Sequence, residues 1–225
     1  QYYYFDPKDG WAPRIKTWRW KEGSTDLPSN PWKKAMIFCP YDGYSYVHHY
    51  NGQLVRLNTK TNEGEIVFRT PQADCYGMAF HPINQNILYI VYGAGGGGNS
   101  PVSNTIYTLD ITDPEGTYQK LCGTNAGGHR DGTLEVAQFN NPKQVFFDQD
   151  GNLYIADYNN HCIRRLNTVE GIVETVVGIP GQSGWKDGGK EEALFNNPNG
   201  IVVGNDGSVY VADFNNSRVR KLTIE

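Results

Sequence analysis

The chain has 225 residues, with 20 Lys and Arg against 24 Asp and Glu and a formal net charge of −4. That length supports a sizeable core, and the balance leaves no basic excess to follow a phosphate backbone, so nucleic acid is not an expected partner. Twenty-six Gly and 15 Tyr describe a turn-rich β protein, and no apolar run approaches the roughly 20 residues that span a bilayer.

The chain opens at Gln1 inside a strand-like run, with neither an initiator Met nor a signal peptide, as a processed or truncated product would. Tyr2 to Phe5 and Arg14 to Trp20 read as two strands, expected to be strands three and four of an incomplete unit. From residue 35 the chain falls into blocks of short strands, at about 35–70, 76–123, 142–178 and 198–225, the last one strand short. Repeated units of four antiparallel strands are the blades of a β-propeller, and a blade cannot bury both faces without neighbours. The strands found number 17, with incomplete units at both ends, which favours a fragment of a larger protein.

The strongest signal is an internal repeat. DGTLEVAQFNNPKQVFFDQDGNLYIADYNNHCIRRL, from Asp131 to Leu166, recurs 56 residues later as DGGKEEALFNNPNGIVVGNDGSVYVADFNNSRVRKL, with 17 of 36 positions identical. Asp150-Gly151 and Asp206-Gly207 separate two apolar runs and are expected to form type I′ hairpin turns. Phe139 and Phe195 are apolar anchors in polar linkers, expected to plug between blades. Asp157 and Asp213 recur at one blade position, which favours a structural loop role over metal ligation. The four cysteines are 36, 47 and 40 residues apart with no CxxC, so small buried hydrophobes are the expected reading, with the three disulfide pairings undecided.

These residues, from Gly128 to Leu222, resemble the NHL repeat; Gln144 departs from the pattern where Gly200 follows it. The resemblance implies an all-β, NHL-type β-propeller of four-stranded antiparallel blades, part of a six-bladed ring. It also extends to bacterial proteins that place an IPT/TIG domain before an NHL propeller, here in the propeller part only.

Function is less legible. The run Gly93 to Gly98 satisfies GxGxxG, but no helix start follows it, so a flexible insertion fits better than a nucleotide site. Loops between strands two and three, and the linkers between blades, emerge on one face, and loops on a rigid scaffold are where binding residues gather. That face is expected to receive Trp32, His48, His49, Tyr50, Tyr92, His129, Arg130, Tyr158, His161, Trp185 and Lys186. No catalytic spacing is present. The expected function is a non-catalytic propeller presenting this face to a glycan or protein ligand, outside the cytoplasm and without a cofactor. The alternative is a metal-dependent hydrolase, lactonase or lyase with a divalent ion at the axis, the arrangement implied by some relatives of the fold.

Overall fold

The computed structural model describes residues 2–4, 14–16, 19–22, 33–94 and 100–223. Three short strands come first: β1 (Tyr2–Tyr4), β2 (Arg14–Lys16) and β3 (Arg19–Trp20). Blade I follows with β4 (Lys33–Phe38), β5 (Ser45–His49), β6 (Gln53–Asn58) and β7 (Glu63–Arg69). Blade II holds β8 (Cys75–Phe80), β9 (Ile87–Tyr92), β10 (Thr105–Asp110) and β11 (Gln119–Gly123). After a two-residue strand β12 (Gly132–Thr133), blade III holds β13 (Pro142–Phe147), β14 (Asn152–Asp157), β15 (Cys162–Asn167) and β16 (Ile172–Val177). Blade IV ends the chain with β17 (Pro198–Val203), β18 (Val209–Asp213) and β19 (Arg218–Leu222). Each blade is an antiparallel meander with its first strand innermost, and the inner strands β4, β8, β13 and β17 lie side by side around the axis. The protein is thus an all-β propeller of four-stranded blades, with three strands described in the last.

The opening run from Arg14 to Trp20, expected as one strand, contributes two, β2 and β3. β1 and β2 pair antiparallel as a sheet of their own, while β3 runs parallel to β7 and adds a fifth strand outside blade I. β12 does the same for blade III by pairing with β16. Linker residues therefore cover outer blade edges, which would otherwise expose unpaired backbone groups.

The apolar alternation of the strands buries both faces of each blade, so the cores lie between blades. Phe139 is fully buried with Val145 and Leu153 of blade III and Ile106 of blade II; Phe195 is fully buried between blades III and IV. Cys39, Cys75, Cys122 and Cys162 are free thiols in these cores, and burial pushes the pKa of each upward.

The repeated polar residues build a second, ionic frame. Asp157 accepts hydrogen bonds from the Asn140 N–H (2.9 Å), Asn160 Nδ2 (2.8 Å) and Arg164 Nη1 (2.9 Å). Asp213 accepts the same set from Asn196, Asn216 and Arg220. Both carboxylates are completely buried. They tie the linker to the strand ends rather than closing an Asx-turn in their own loop. Each arginine is also held by the aspartate that opens its repeat: Arg164 Nη2 is 2.6 Å from Asp131, and Arg220 Nη2 is 2.5 Å from Asp187. The guanidinium groups lie over Phe139 and Phe195, so the apolar plug and the ion pair are one unit.

The Asp-Gly turns differ from the two-residue type I′ form. Only the glycine of each pair has positive φ, 85° at Gly151 and 77° at Gly207. Residues 148–151 connect β13 and β14, and Asp148 Oδ1 accepts the N–H groups of Asp150 and Asn152. A side-chain acceptor thus organises a longer loop.

At the axis, blades approach backbone to backbone. A Cβ on Gly77 would stand 2.5 Å from the Lys143 carbonyl oxygen and 3.1 Å from the Val145 nitrogen. Gln144 occupies the equivalent position in blade III, and its Oε1 accepts the N–H of Ile201 in blade IV at 3.2 Å. The departure from glycine is therefore an inter-blade hydrogen bond. Gly77→Ala is expected to separate β8 from β13 and to lower stability by about 1–3 kcal/mol, the usual range for overpacking. Equal melting temperatures of variant and parent would contradict that close approach.

Candidate functional site

Loop-face residues were expected to converge, and the structure sorts them into three places. The first is the interior. His49 and Tyr92 occupy the last position of strand two, where blades III and IV carry the buried Asp157 and Asp213. They are buried in turn, and His48 with them, so their side chains are not offered to a ligand at the surface; the expectation for these three is corrected. His48 Nε2 lies 2.8 Å from Thr70 Oγ1, and the Tyr92 ring stands edge-on to the imidazole. Half-buried Tyr50 lies in the turn after β5, its carbonyl accepting the Ala73 N–H. Trp32 lies outside the described residues, as do residues 95–98 of the glycine run.

The second place is the outer rim. His129 Nε2 is 2.8 Å from Thr175 Oγ1 on β16, the fourth strand of blade III. Burial, and then the Arg164 charge, lower the His129 pKa, so its ring is neutral at pH 7. The carbonyl groups of Arg130 and Lys186 accept from the frame arginines Arg164 and Arg220, while their side chains face solvent. Trp185 is 59% exposed and stacks on Arg218, whose guanidinium carbon is 3.8 Å from the indole ring. These residues are positioned by the linkers, away from the axis.

The third place is the axial mouth on the loop face, which the sequence reading reached only through Tyr158 and His161. Tyr76 of β8 and Lys143 of β13 are neighbours across the junction of blades II and III. The Lys143 ammonium lies 3.2 Å from the centroid of the Tyr76 ring and 5.1 Å from that of Tyr158. A cation between two aromatic faces is held by both quadrupoles, worth about 0.5–2 kcal/mol. Gly93 is at the same junction: a Cβ there would clash with Tyr76, Asn141 and the Pro142 carbonyl, so only glycine fits. On the other side of Tyr158, His161 Nδ1 accepts the Asn197 N–H at 3.1 Å, and the Tyr158 carbonyl accepts Asn197 Nδ2 at 3.0 Å. That bond fixes the His161 proton on Nε2, and burial lowers its pKa, so the ring is neutral.

Below this mouth is an axial cavity of about 760 Å³, lined by the four inner strands. Tyr76 and Asn199 stand at its loop-face end; deeper, Met36, Phe38, Met78 and Phe146 make the wall apolar. Gln144 adds a polar side chain to that wall, and half-buried Lys143, over the Tyr76 ring, and Tyr158 lie beside the loop-face end. Among the described residues, no three His, Cys, Asp or Glu side chains converge as a metal site would require. The arrangement can stack against a ring and exchange hydrogen bonds with hydroxyl or amide groups.

Comparison with known proteins agrees with the geometry. The NHL repeat signature matches residues 139–166 and 195–222, which are the two frame-bearing repeats. Protein SUPPRESSOR OF QUENCHING 1, chloroplastic, of Arabidopsis thaliana is 34% identical over 97 residues, covering 43% of this chain and 9% of that protein. NHL repeat-containing protein 2 of Bos taurus is 31% identical over 132 residues, covering 55% of this chain and 18% of that protein. Among solved structures, an auxiliary nutrient binding protein from Bacteroides thetaiotaomicron aligns with a TM-score of 0.71 and 28% identity, over 84% of this chain and 47% of that one. The chain therefore spans less than a fifth of these curated relatives and about half of the solved one.

Proposed function

The chain is an NHL-repeat β-propeller protein, and on that premise we propose that it is a non-catalytic binding module whose axial mouth holds a glycan. The observation that carries this reading is the Tyr76–Lys143–Tyr158 group at the rim of an apolar axial cavity. Aromatic faces pack against the C–H face of a sugar ring, while an ammonium donates to its hydroxyls. Asn199 and the neutral His161 supply further donors and acceptors beside the opening. The likeness to a nutrient binding protein supports the class of function, and we infer from it that the protein works outside the cytoplasm. Among the described residues no helix is long and apolar enough to cross a membrane.

Titration calorimetry against a panel of neutral and acidic oligosaccharides tests the proposal. At least one glycan is expected to bind, and Tyr158→Ala and Lys143→Met are each expected to weaken it about tenfold, the loss of one stacked or charge-assisted contact. Trp185→Ala, on the rim of blade IV, is expected to leave affinity unchanged. If Trp185→Ala abolishes binding while the mouth variants do not, the site is on the rim. Capture of a protein ligand by the mouth, with no glycan bound, would replace the glycan assignment.

A further inference from the structure

Below the mouth, Gln144 is the polar side chain in an otherwise apolar wall, and its amide is held in one orientation. The strand β13 alternates: Val145 and Phe147 are buried between blades, while Gln144 and Phe146 are exposed and line the axial cavity. Gln144 follows Lys143 directly, so it lies one residue deeper than the mouth. Its Oε1 accepts the Ile201 N–H at 3.2 Å, and a backbone donor is met by the carbonyl end of an amide, never by its NH2 end. The other end, Nε2, therefore keeps two N–H donors, and among the described residues no acceptor meets them.

The neighbouring inner strands leave space around this donor. Both carry glycine at the level of Gln144, Gly77 in blade II and Gly200 in blade IV. A Cβ on Gly200 would stand 3.3 Å from Gln144 Oε1 and 3.1 Å from the Ala212 Cβ, so the glycine admits the glutamine. One step deeper, Ala79 and Phe146 line the cavity. A sugar held at the mouth thus reaches one neutral donor above an apolar floor. A hydroxyl there would use the donor and leave the floor against a polar group. A carboxylate would lose water to a single neutral amide beside Phe146, a poor exchange for a charge. An acetamido group fits both, because its carbonyl oxygen accepts a hydrogen bond and its methyl is apolar.

We propose that the axial mouth selects glycans that carry an N-acetylated amino sugar, with the acetamido carbonyl accepting from Gln144 Nε2 and the methyl packing on Phe146 and Ala79. This rests on the glycan reading of the mouth and adds to it the class of sugar and the residue that selects it. Gln144 then has two roles at once. Its oxygen joins blades III and IV, and its nitrogen reads the ligand, so the departure from the repeat's glycine serves packing and specificity together.

Calorimetry with paired glycans tests it: a chito-oligosaccharide against the cello-oligosaccharide of equal length, and N-acetyllactosamine against lactose. Each pair differs only in acetamido against hydroxyl. In at least one pair the acetylated member is expected to bind about tenfold more tightly or better, the effect of one hydrogen bond made or lost in a site built for it. Gln144→Glu keeps an oxygen for the Ile201 N–H and removes the donor. It is expected to keep the parent's melting temperature and to erase the preference, which a purely structural role for Gln144 would not do. Should Gln144→Glu not fold, Gln144→Met takes its place with the same expected loss of preference. Equal or weaker binding of the acetylated member in both pairs, or a preference that survives the substitution, overturns the assignment while any glycan that binds leaves the mouth reading intact. Binding of no glycan removes both.

Discussion

Replacing Arg164 by alanine is expected to cost about 3–5 kcal/mol of stability, because it leaves a buried carboxylate without its counter-charge. Arg164 is completely buried and donates to Asp131, to Asp157 and to the carbonyl groups of Arg130 and Gln138. It therefore joins the linker, the end of β14 and the third strand of one blade. Even with the guanidinium present, burial pushes the Asp157 pKa up to about 6. Without it the carboxyl rises further, and the folded state binds a proton that the unfolded state releases at its ordinary value of 3.8. Between those values folded protein holds more protons, so the variant gains stability as pH falls. The deficit against the parent should accordingly be largest at pH 7 and shrink toward pH 5. Arg164→Lys should recover only part of the loss, since an ammonium cannot span two carboxylates and two carbonyls. Arg220→Ala should cost less, because one of its two carboxylate partners, Asp187, is largely exposed. Urea unfolding at both pH values measures all of this. A deficit below about 1 kcal/mol, in the range of a surface ion pair, would mean the clamp is not the frame of the repeat.

That clamp shows what sequence could and could not deliver. The 56-residue period, the Phe139 and Phe195 plugs and the Asp-Gly loops are local patterns, and their placement follows from alternation and turn chemistry. Arg164 and Arg220 sit in runs, CIRRL and RVRKL, that read as charges on a solvent face. Arg164 points inward instead, on the same face as buried Cys162 and Leu166 and in unbroken register with β14. Only its carboxylate partners, Asp131 from the linker and Asp157 from the end of β14, make that position fit a charge, and no local spacing announces them. His48, His49 and Tyr92 were placed on the loop face by their position at strand ends. Blade I and blade II lack the aspartate frame, however, and fill the same space with imidazole and phenol groups. The mouth was hardest to see, because Tyr76, Lys143 and Tyr158 come from two blades and no sequence spacing relates them. Only closure of neighbouring inner strands brings them within 3.2–5.1 Å.

The buried histidine next to the one that stands in the frame aspartate's place should make the protein acid-labile in a defined window. His48 is completely buried, its Nε2 2.8 Å from Thr70 Oγ1 and 3.5 Å from the Tyr92 hydroxyl, and among the described residues its Nδ1 has no hydrogen-bond partner. Burial, reinforced by the charge of His49, lowers its pKa from 6.5 to about 3. The unfolded chain therefore takes up a proton below pH 6.5 that the folded chain refuses until about pH 3. Stability from neutral His48 is fully present above pH 6.5 and is lost as pH falls through that window, at up to about 1.4 kcal/mol per pH unit. Asp157 acts with the opposite sign between 3.8 and about 6, so the parent's own pH curve is a difference of the two. His48→Gln separates them, because glutamine keeps a polar contact to Thr70 and removes the titration. The variant is expected to be less stable at pH 7, with the deficit shrinking by about 2–3 kcal/mol on going to pH 4.5. Parallel stability curves for parent and variant would show that His48 titrates at the same value folded and unfolded, so that burial does not keep it neutral.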